Sequence, residues 1–507
     1  MFNTFLGYLT FKNLKIIFFF ILIIPLFFIS LIEYEGNKFI YTIFSLVCNF
    51  FFYYSLRKQS LFLDTFIGLL FWLGFWFKFS MQISVYNYLF PEGVGAFDFK
   101  PNSFDKVLIV STIGFLGFFI GSLLIHKFFF SYKSKYFLED EGEYKKINIK
   151  NFILIFILFF SIFYSLNFYF GFYQKGIVAS LELNPIFDSI IRWLFIIGIP
   201  SISTLLIYFS FNKMYQKYRL KIIYIAIFEA FLSSISQLSR AMIFNPLSII
   251  FGLYKYTLFK KNTFSLFNFM KSYSFLGILF IICILTVTEL RTLFNFAAPN
   301  MDVASYLDVD DELQRDEKKN VERIVKTGTN QLLFLAGNRW VGVEGVMAVE
   351  GNSNKSLTLF KESFSEKFNY SFSFYEAKIK NSNWTKIDDL KYTPGRNFTR
   401  GHIKYDKKLI TIYTPGIFAF LYYSGSLIIV FFGTLILYLF CSMIEIWSFF
   451  ASKKNLIFCS LIGNILAYRL VHFGYMPLNT WKILLAIIIT VIMTIIINRF
   501  MFITIKK

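Results

Sequence analysis

The residues in this chain that could do chemistry are arginines and histidines gathered near the ends of long apolar runs. Ser239 and Arg240 sit in a polar turn, SSISQLSRAMIFNP, with Ser233, Ser234, Ser236 and Gln237. A charge in hydrocarbon costs about 2.5–3.5 kcal/mol even on the mild scale. Arg240 should therefore face a polar cavity or an anion, unless it snorkels to lipid headgroups. Arg291 follows Glu289 in TELRTLF, where a local ion pair competes with a binding role. NRWVGVEG holds Arg339 and Glu344, which would fall on nearby faces of a helix, with glycines that permit close packing. TPGRNFTRGHIKYDKKL brings Arg396, Arg400, His402 and Lys404 together just before an apolar run. The plain alternative there is a basic loop lying on anionic headgroups. AYRLVHFGYMP puts Arg469 and His472 three residues apart, on one helix face. Interfacial anchoring with Tyr475 accounts for them equally well. Guanidinium groups grip phosphate oxygens in pairs, so such clusters suit a diphosphate. An imidazole such as that of His402 can serve as a base near neutral pH.

Other chemistries lack their residues. There is no phosphate-binding G-x-x-x-x-G-K-[ST] loop, no H-E-x-x-H, no G-x-S-x-G and no dinucleotide fingerprint. The chain has 3 histidines, so a multi-histidine metal site is not expected. Its cysteines, Cys48, Cys283, Cys441 and Cys459, stand apart in apolar stretches without metal-ligand spacing. Neither a metal nor another cofactor is expected. The sequons at Asn354, Asn369, Asn383 and Asn397 arise readily by chance in an Asn-rich chain.

The elements that must position these residues are membrane helices. Hydrophobic residues make up 56% of the chain and charged residues 16%, with a mean hydropathy of +0.58. A soluble domain carries about 25% charged residues. Apolar runs long enough to cross about 30 Å of hydrocarbon recur throughout. The pattern predicts an all-α integral membrane protein with about twelve spans, at 15–32, 39–56, 61–80, 105–125, 152–170, 189–210, 221–236, 241–258, 273–290, 415–438, 455–471 and 481–499. No cleavable signal peptide is evident, and the first run is expected to stay as a span. The net charge of +20 collects in one set of loops, including Arg57–Lys58, 127–150, 213–221, 260–271 and Lys453–Lys454. Lys and Arg favour cytoplasmic loops, so both termini are expected in the cytoplasm and no nucleic-acid partner is implied. Residues 1–290 then hold spans one to nine and 413–507 hold spans ten to twelve. Between them, 291–412 forms one large loop outside the cytoplasm, with short helices. Asp302 to Lys326 reads as a charged amphipathic helix, Gln331 to Val349 as an interfacial or membrane-dipping helix, and 353–367 as another short helix.

About a dozen spans, a long late periplasmic loop and cytoplasmic termini together resemble the Wzy-type polymerases of O-antigen and oligosaccharide repeat units. The Ser239-Arg240 turn that opens a span resembles the "SR" turn of that family. TPGIFAFLYYSG, with Thr414, Pro415, Gly416, Tyr422, Tyr423 and Gly425, resembles its Pro-Gly start of the span after the large loop. The resemblance implies a membrane glycosyltransferase of lipopolysaccharide or related polysaccharide biosynthesis in a bacterial inner membrane. Its substrates would be glycans on undecaprenyl diphosphate, and a flippase and a chain-length regulator would be its partners. Functional arginines of the family lie in periplasmic loops, and Arg240, Arg339 and Arg400 are the nearest matches by position. The site expected on this basis has His402, Arg339 and Glu344 at the reacting centre. Arg240, Arg291, Arg396, Arg400, Arg469 and His472 would hold the diphosphate. O-antigen ligases share a late periplasmic loop with Arg and His, and His402 fits that alternative as well. A transporter or flippase would normally have short loops and matched halves.

Overall fold

A computed structural model describes residues 19–88, 90, 94, 96–133, 136, 149–174, 184–211, 217–260, 264–296, 340–364, 405–406, 409–410, 415–473 and 477–501. Apart from an antiparallel pairing of Tyr405–Asp406 with Leu409–Ile410, its regular structure is helical. The helices are α1 (Ile24–Glu33), α2 (Lys38–Ser55), α3 (Phe62–Ser84), α4 (Pro101–Phe129), α5 (Ile149–Phe170), α6 (Ile186–Ser210), α7 (Arg219–Ser236) and α8 (Arg240–Lys260). They continue with α9 (Leu266–Phe296), α10 (Val343–Glu350), α11 (Leu357–Phe364), α12 (Ile417–Tyr422), α13 (Leu427–Ala451), α14 (Leu456–Val471) and α15 (Pro477–Met501).

Among the described residues, 7 helices are long and apolar enough to cross a membrane: α3, α4, most of α5, α6, α8, most of α9, and α13. Ile21–Glu33, Leu456–Val471 and Ile483–Ile497 are shorter apolar helices. The chain is a helical membrane protein. The predicted span 415–438 is not one helix. It divides into α12 and α13 at a turn where Gly425 adopts φ +71°. Glycine enters that left-handed region without the penalty a Cβ would incur.

Helix α14 is the centre of the bundle, packed against α3, α6 and α8. Small residues let the backbones close up, which is how helices associate where water gives no hydrophobic drive. Gly252 of α8 and Gly463 of α14 each leave room that a Cβ would not, within 3 Å of the neighbouring helix. Ser460 donates to the Ser248 carbonyl at 2.6 Å across the α8–α14 contact. Aromatic rings fill the space between α3 and α4. Phe418 of α12 inserts among Phe71, Phe75, Phe115 and Phe118, with ring centroids 4.9–5.5 Å apart. By contrast α5, α9 and α13 are mostly uncovered along their apolar lengths, as lipid-facing helices should be.

One end of the bundle is fastened by buried carboxylates. Glu445 of α13 accepts from the Phe62 and Leu63 amides at 2.8 and 2.7 Å and from the Tyr132 hydroxyl at 2.7 Å. It thereby satisfies the free amides that begin α3 and complements the positive end of the helix dipole. Asp64 accepts from the Leu61 amide at 3.1 Å and the Tyr438 hydroxyl, and its Oδ2 lies 2.6 Å from His126 Nε2. Lys255 donates to the Ser60 carbonyl at 2.8 Å. These contacts join α3, α4, α8 and α13 at the end that carries the 56–61 turn.

Candidate functional site

The opposite end of the bundle holds the described members of the expected site. Lys78 and Asp64 belong to one helix, α3, and stand about 20 Å apart along its axis at 1.5 Å per residue. Next to Lys78, α3 runs through a π-helical turn at Leu73–Phe77, a feature frequent at functional sites. The backbone of Gly74 lies so close to that of Val341 and Gly342 that a Cβ on either glycine would meet carbonyl oxygen within 2.2 Å. This approach seats α10 inside the bundle, against α4 and α12, with Val343 to Val349 fully buried. The dipping helix expected within Gln331–Val349 is thus covered by protein, over the part that is described.

Glu344 on α10 forms an ion pair with Lys78, and both side chains are 0% exposed. Lys78 also donates to the Trp340 carbonyl at 2.9 Å. A lone lysine inside an apolar run was the sequence signal for this contact, and it is absent from the expected site. The pair gives Glu344 a role in holding α10. At the far end of α10, Glu350 binds Lys355 at 3.0 Å, Lys106 at 3.2 Å and the Tyr422 hydroxyl at 2.8 Å. Burial acts to raise its pKa. The hydrogen bonds from Lys355 and Tyr422 outweigh burial and hold the carboxyl below its usual value.

Arg240 opens α8 after a tight reversal. Leu238 adopts φ +51°, uncommon for a residue with a Cβ, and the Ser239 hydroxyl caps the new helix by accepting from Ala241 N at 3.4 Å. Arg240 donates from Nη2 to Thr288 Oγ1 at 2.8 Å, which ties the turn to α9. Arg291 lies in the last turns of the same α9. Phe244, one turn beyond Arg240, meets the Trp340 ring edge-on at 6.0 Å. The Asn464 amide of α14 lies 3.5 Å from the Phe244 carbonyl. The start of α8, the entry to α10 and the middle of α14 therefore adjoin.

Arg469 and His472 close α14. His472 stacks on Tyr468 at 4.0 Å, and its Nδ1 is 3.0 Å from the Tyr468 carbonyl. Arg469 lies near Tyr173 and Tyr468. The Tyr173 ring also carries the guanidinium of Arg192 at 4.6 Å, and Arg192 pairs with Asp188 at 2.7 Å. Arg192 escapes the sequence reading because Asp188, one helical turn earlier, makes PIFDSIIRW look like an ordinary intrahelical pair. Its spacing was visible, but its meeting with Tyr173 was not.

Arg339, Arg396, Arg400 and His402 lie outside the described residues, as does the amphipathic segment Asp302–Lys326. Of the expected site, the structure brings Arg240, Glu344 and Arg469 with His472 to one end of the bundle. Among the described residues no group of three or more His, Cys, Asp and Glu side chains is arranged to hold a metal ion. The arrangement offers fixed guanidinium groups, serine and glutamine donors, and an aromatic surface at Trp340, a set suited to an anionic head bearing hydroxyls. No family model, no curated protein and no solved structure matches the chain.

Proposed function

We propose that the chain polymerises undecaprenyl-diphosphate-linked oligosaccharide units into an O-antigen- or capsule-like polysaccharide at the periplasmic face of a bacterial inner membrane. The observation that carries this reading is that Arg240 at the start of α8, Trp340 at the entry to α10 and Arg469 in the last turn of α14 lie at the same end of the bundle, where Phe244 of α8 meets Trp340. In the reaction, the hydroxyl of one unit attacks the anomeric carbon of the growing glycan. The bond to the diphosphate breaks and its electron pair leaves with the diphosphate. Guanidinium groups fixed before the reaction stabilise that charge as it develops, and losing one such donor costs roughly 10²–10³ in rate. Arg240 and Arg469 would do this work, joined by Arg291, Arg339, Arg396 and Arg400 from the insert side, with His402 as base. The bilayer holds the carrier lipid of both substrates, and a flippase and a chain-length regulator would act beside it.

Deleting the gene should leave single repeat units on the cell-surface acceptor in place of long chains. Arg240→Ala or Arg469→Ala should reduce polymer about 10²-fold at unchanged protein level. Full-length glycan in the deletion strain would dispose of the proposal. Polymer piling up on carrier lipid would instead mark a ligase, which uses the same kind of donor.

A further inference from the structure

Helix α6 is not regular along its length. Pro200 has no amide to bond the Ile196 carbonyl, and α6 widens into a π-helical turn over Leu194–Gly198. The same irregularity marks α3 beside Lys78. Helix α15 packs on α6 at this turn, and a narrow cleft remains between α6, α14 and α15. Ile197, Ile465 and Ile487 form its floor, each no more than 6% exposed. Trp193, Ile196 and Ala486 form its half-buried rim. The Trp193 indole N–H donates to Thr490 Oγ1 at 2.9 Å, so the lining side chains offer no free donor or acceptor. Water gains nothing in such a place, whereas hydrocarbon fits it.

Charge begins at one end of the cleft. Arg192 directly precedes Trp193 on α6, and Arg469 lies one turn beyond Ile465 on α14, about 6 Å along the axis. Both arginines lie near Tyr173. Asp188 balances the charge of Arg192, whose Nε is 2.7 Å from both carboxylate oxygens. Arg469 differs. It is half-buried, with no hydrogen bond or ion pair to any described residue. A guanidinium within a membrane bundle is costly unless something anionic or polar meets it, and it marks a ligand or a pathway.

We infer that the cleft holds the tail of a polyprenyl diphosphate, with Arg469 on the phosphate and the first isoprene units lying against Trp193, Ile196 and Ile465. Charge complementarity selects this occupant. The unpaired guanidinium calls for an anionic head, the lining calls for a hydrocarbon chain, and one helical turn separates the two. The choice of a prenyl chain over a phospholipid acyl chain rests on the polymerase reading. The cleft deepens that reading by naming the side from which the carrier lipid is held: the tail lies between α6, α14 and α15, and the head lies at the end of the bundle that carries Arg240.

The test uses the full chain in phosphatidylcholine nanodiscs and a polyprenyl diphosphate with a diazirine in its first isoprene units. Cross-links mapped by mass spectrometry should fall on 193–197 and 483–487. Unlabelled undecaprenyl diphosphate should displace them, and an equal excess of phosphatidylglycerol should not. Arg469→Gln should weaken labelling by the diphosphate about tenfold and leave labelling by the matching prenol, which has no phosphate, unchanged. Ala486→Trp and Ile196→Trp, on different helices, should each fill the cleft and abolish labelling there. The competition on the unaltered chain decides the matter even if a variant does not fold. Displacement by phosphatidylglycerol, or labelling spread over the lipid-facing α5 and α9, would overturn the inference. The deletion strain separates the two readings. Single repeat units there, with no labelling in the cleft, keep the polymerase and remove the lipid site. Full-length glycan there, with displaceable labelling in the cleft, keeps the lipid site and removes the polymerase.

Discussion

At the scale of single residues, Lys78 and Glu344 behave as one unit. Two charges withdrawn completely from solvent are held by each other and by the Trp340 carbonyl. Breaking such a pair leaves an uncompensated buried charge, whereas replacing both partners with apolar side chains is often neutral. Glu344→Gln should lower stability by about 3–5 kcal/mol, read as an earlier thermal unfolding transition in detergent. Lys78→Met combined with Glu344→Leu should recover most of that loss. A double variant as unstable as Glu344→Gln would show that the pair itself contributes net stability. Legibility at this scale follows from context. Arg240 and Glu344 stood out because they interrupt apolar runs beside turns or glycines. Lys78 interrupts an apolar run as well, but its partners Trp340 and Glu344 come from a distant part of the chain, and Arg192 looks locally ordinary because its contact with Tyr173 is set by the fold.

At the scale of elements, α10 depends on backbone contact. Gly74→Ala would drive a Cβ to 2.2 Å from the Val341 carbonyl oxygen, and backbone cannot step aside as a flexible side chain can. This substitution should expose the region around α10 to added protease while leaving the far end of the bundle protected, a difference that cleavage mapping reads directly. Glu350 adds a pH dependence. Its folded carboxyl lies below the unfolded value of about 4.3, so its contribution is complete above that pH and disappears as pH falls through the folded pKa. Amide protection over 352–364, taken relative to the intrinsic exchange rate at each pH, should therefore fall on acidification from pH 6 to pH 3, and Glu350→Gln should flatten the response. The helices themselves were largely legible, since each predicted span overlaps a helix over its described residues. The 415–438 stretch was misjudged because one apolar run covers α12 and α13. The chain reverses at Ser424-Gly425-Ser426 without any loss of hydrophobicity around it. Short polar signals inside such a run carry little weight against 20 apolar neighbours in a span-length window.

At the scale of the whole molecule, the two polar layers have opposite jobs. Asp64, His126, Glu445 and Lys255 lock one end, while the other end carries Arg240, Arg469 and the entry to α10. If the locked end faces the cytoplasm, a cysteine at Asn354 should react with an impermeant maleimide in intact spheroplasts and a cysteine at Lys58 should not. The converse pattern would invert the protein in the membrane and remove the basis of the proposed reaction. The buried ion pair also has a consequence for biogenesis. Lys78 leaves the ribosome 262 residues before Trp340, which at 5–20 residues per second is a wait of roughly 13–50 s. During that interval α3 must enter the bilayer with an unmatched lysine, so the translocon or an assembly factor has to shelter it until α10 arrives. A nascent chain truncated ahead of α10 should accordingly insert α3 poorly, and a Lys78→Leu change should cure the defect.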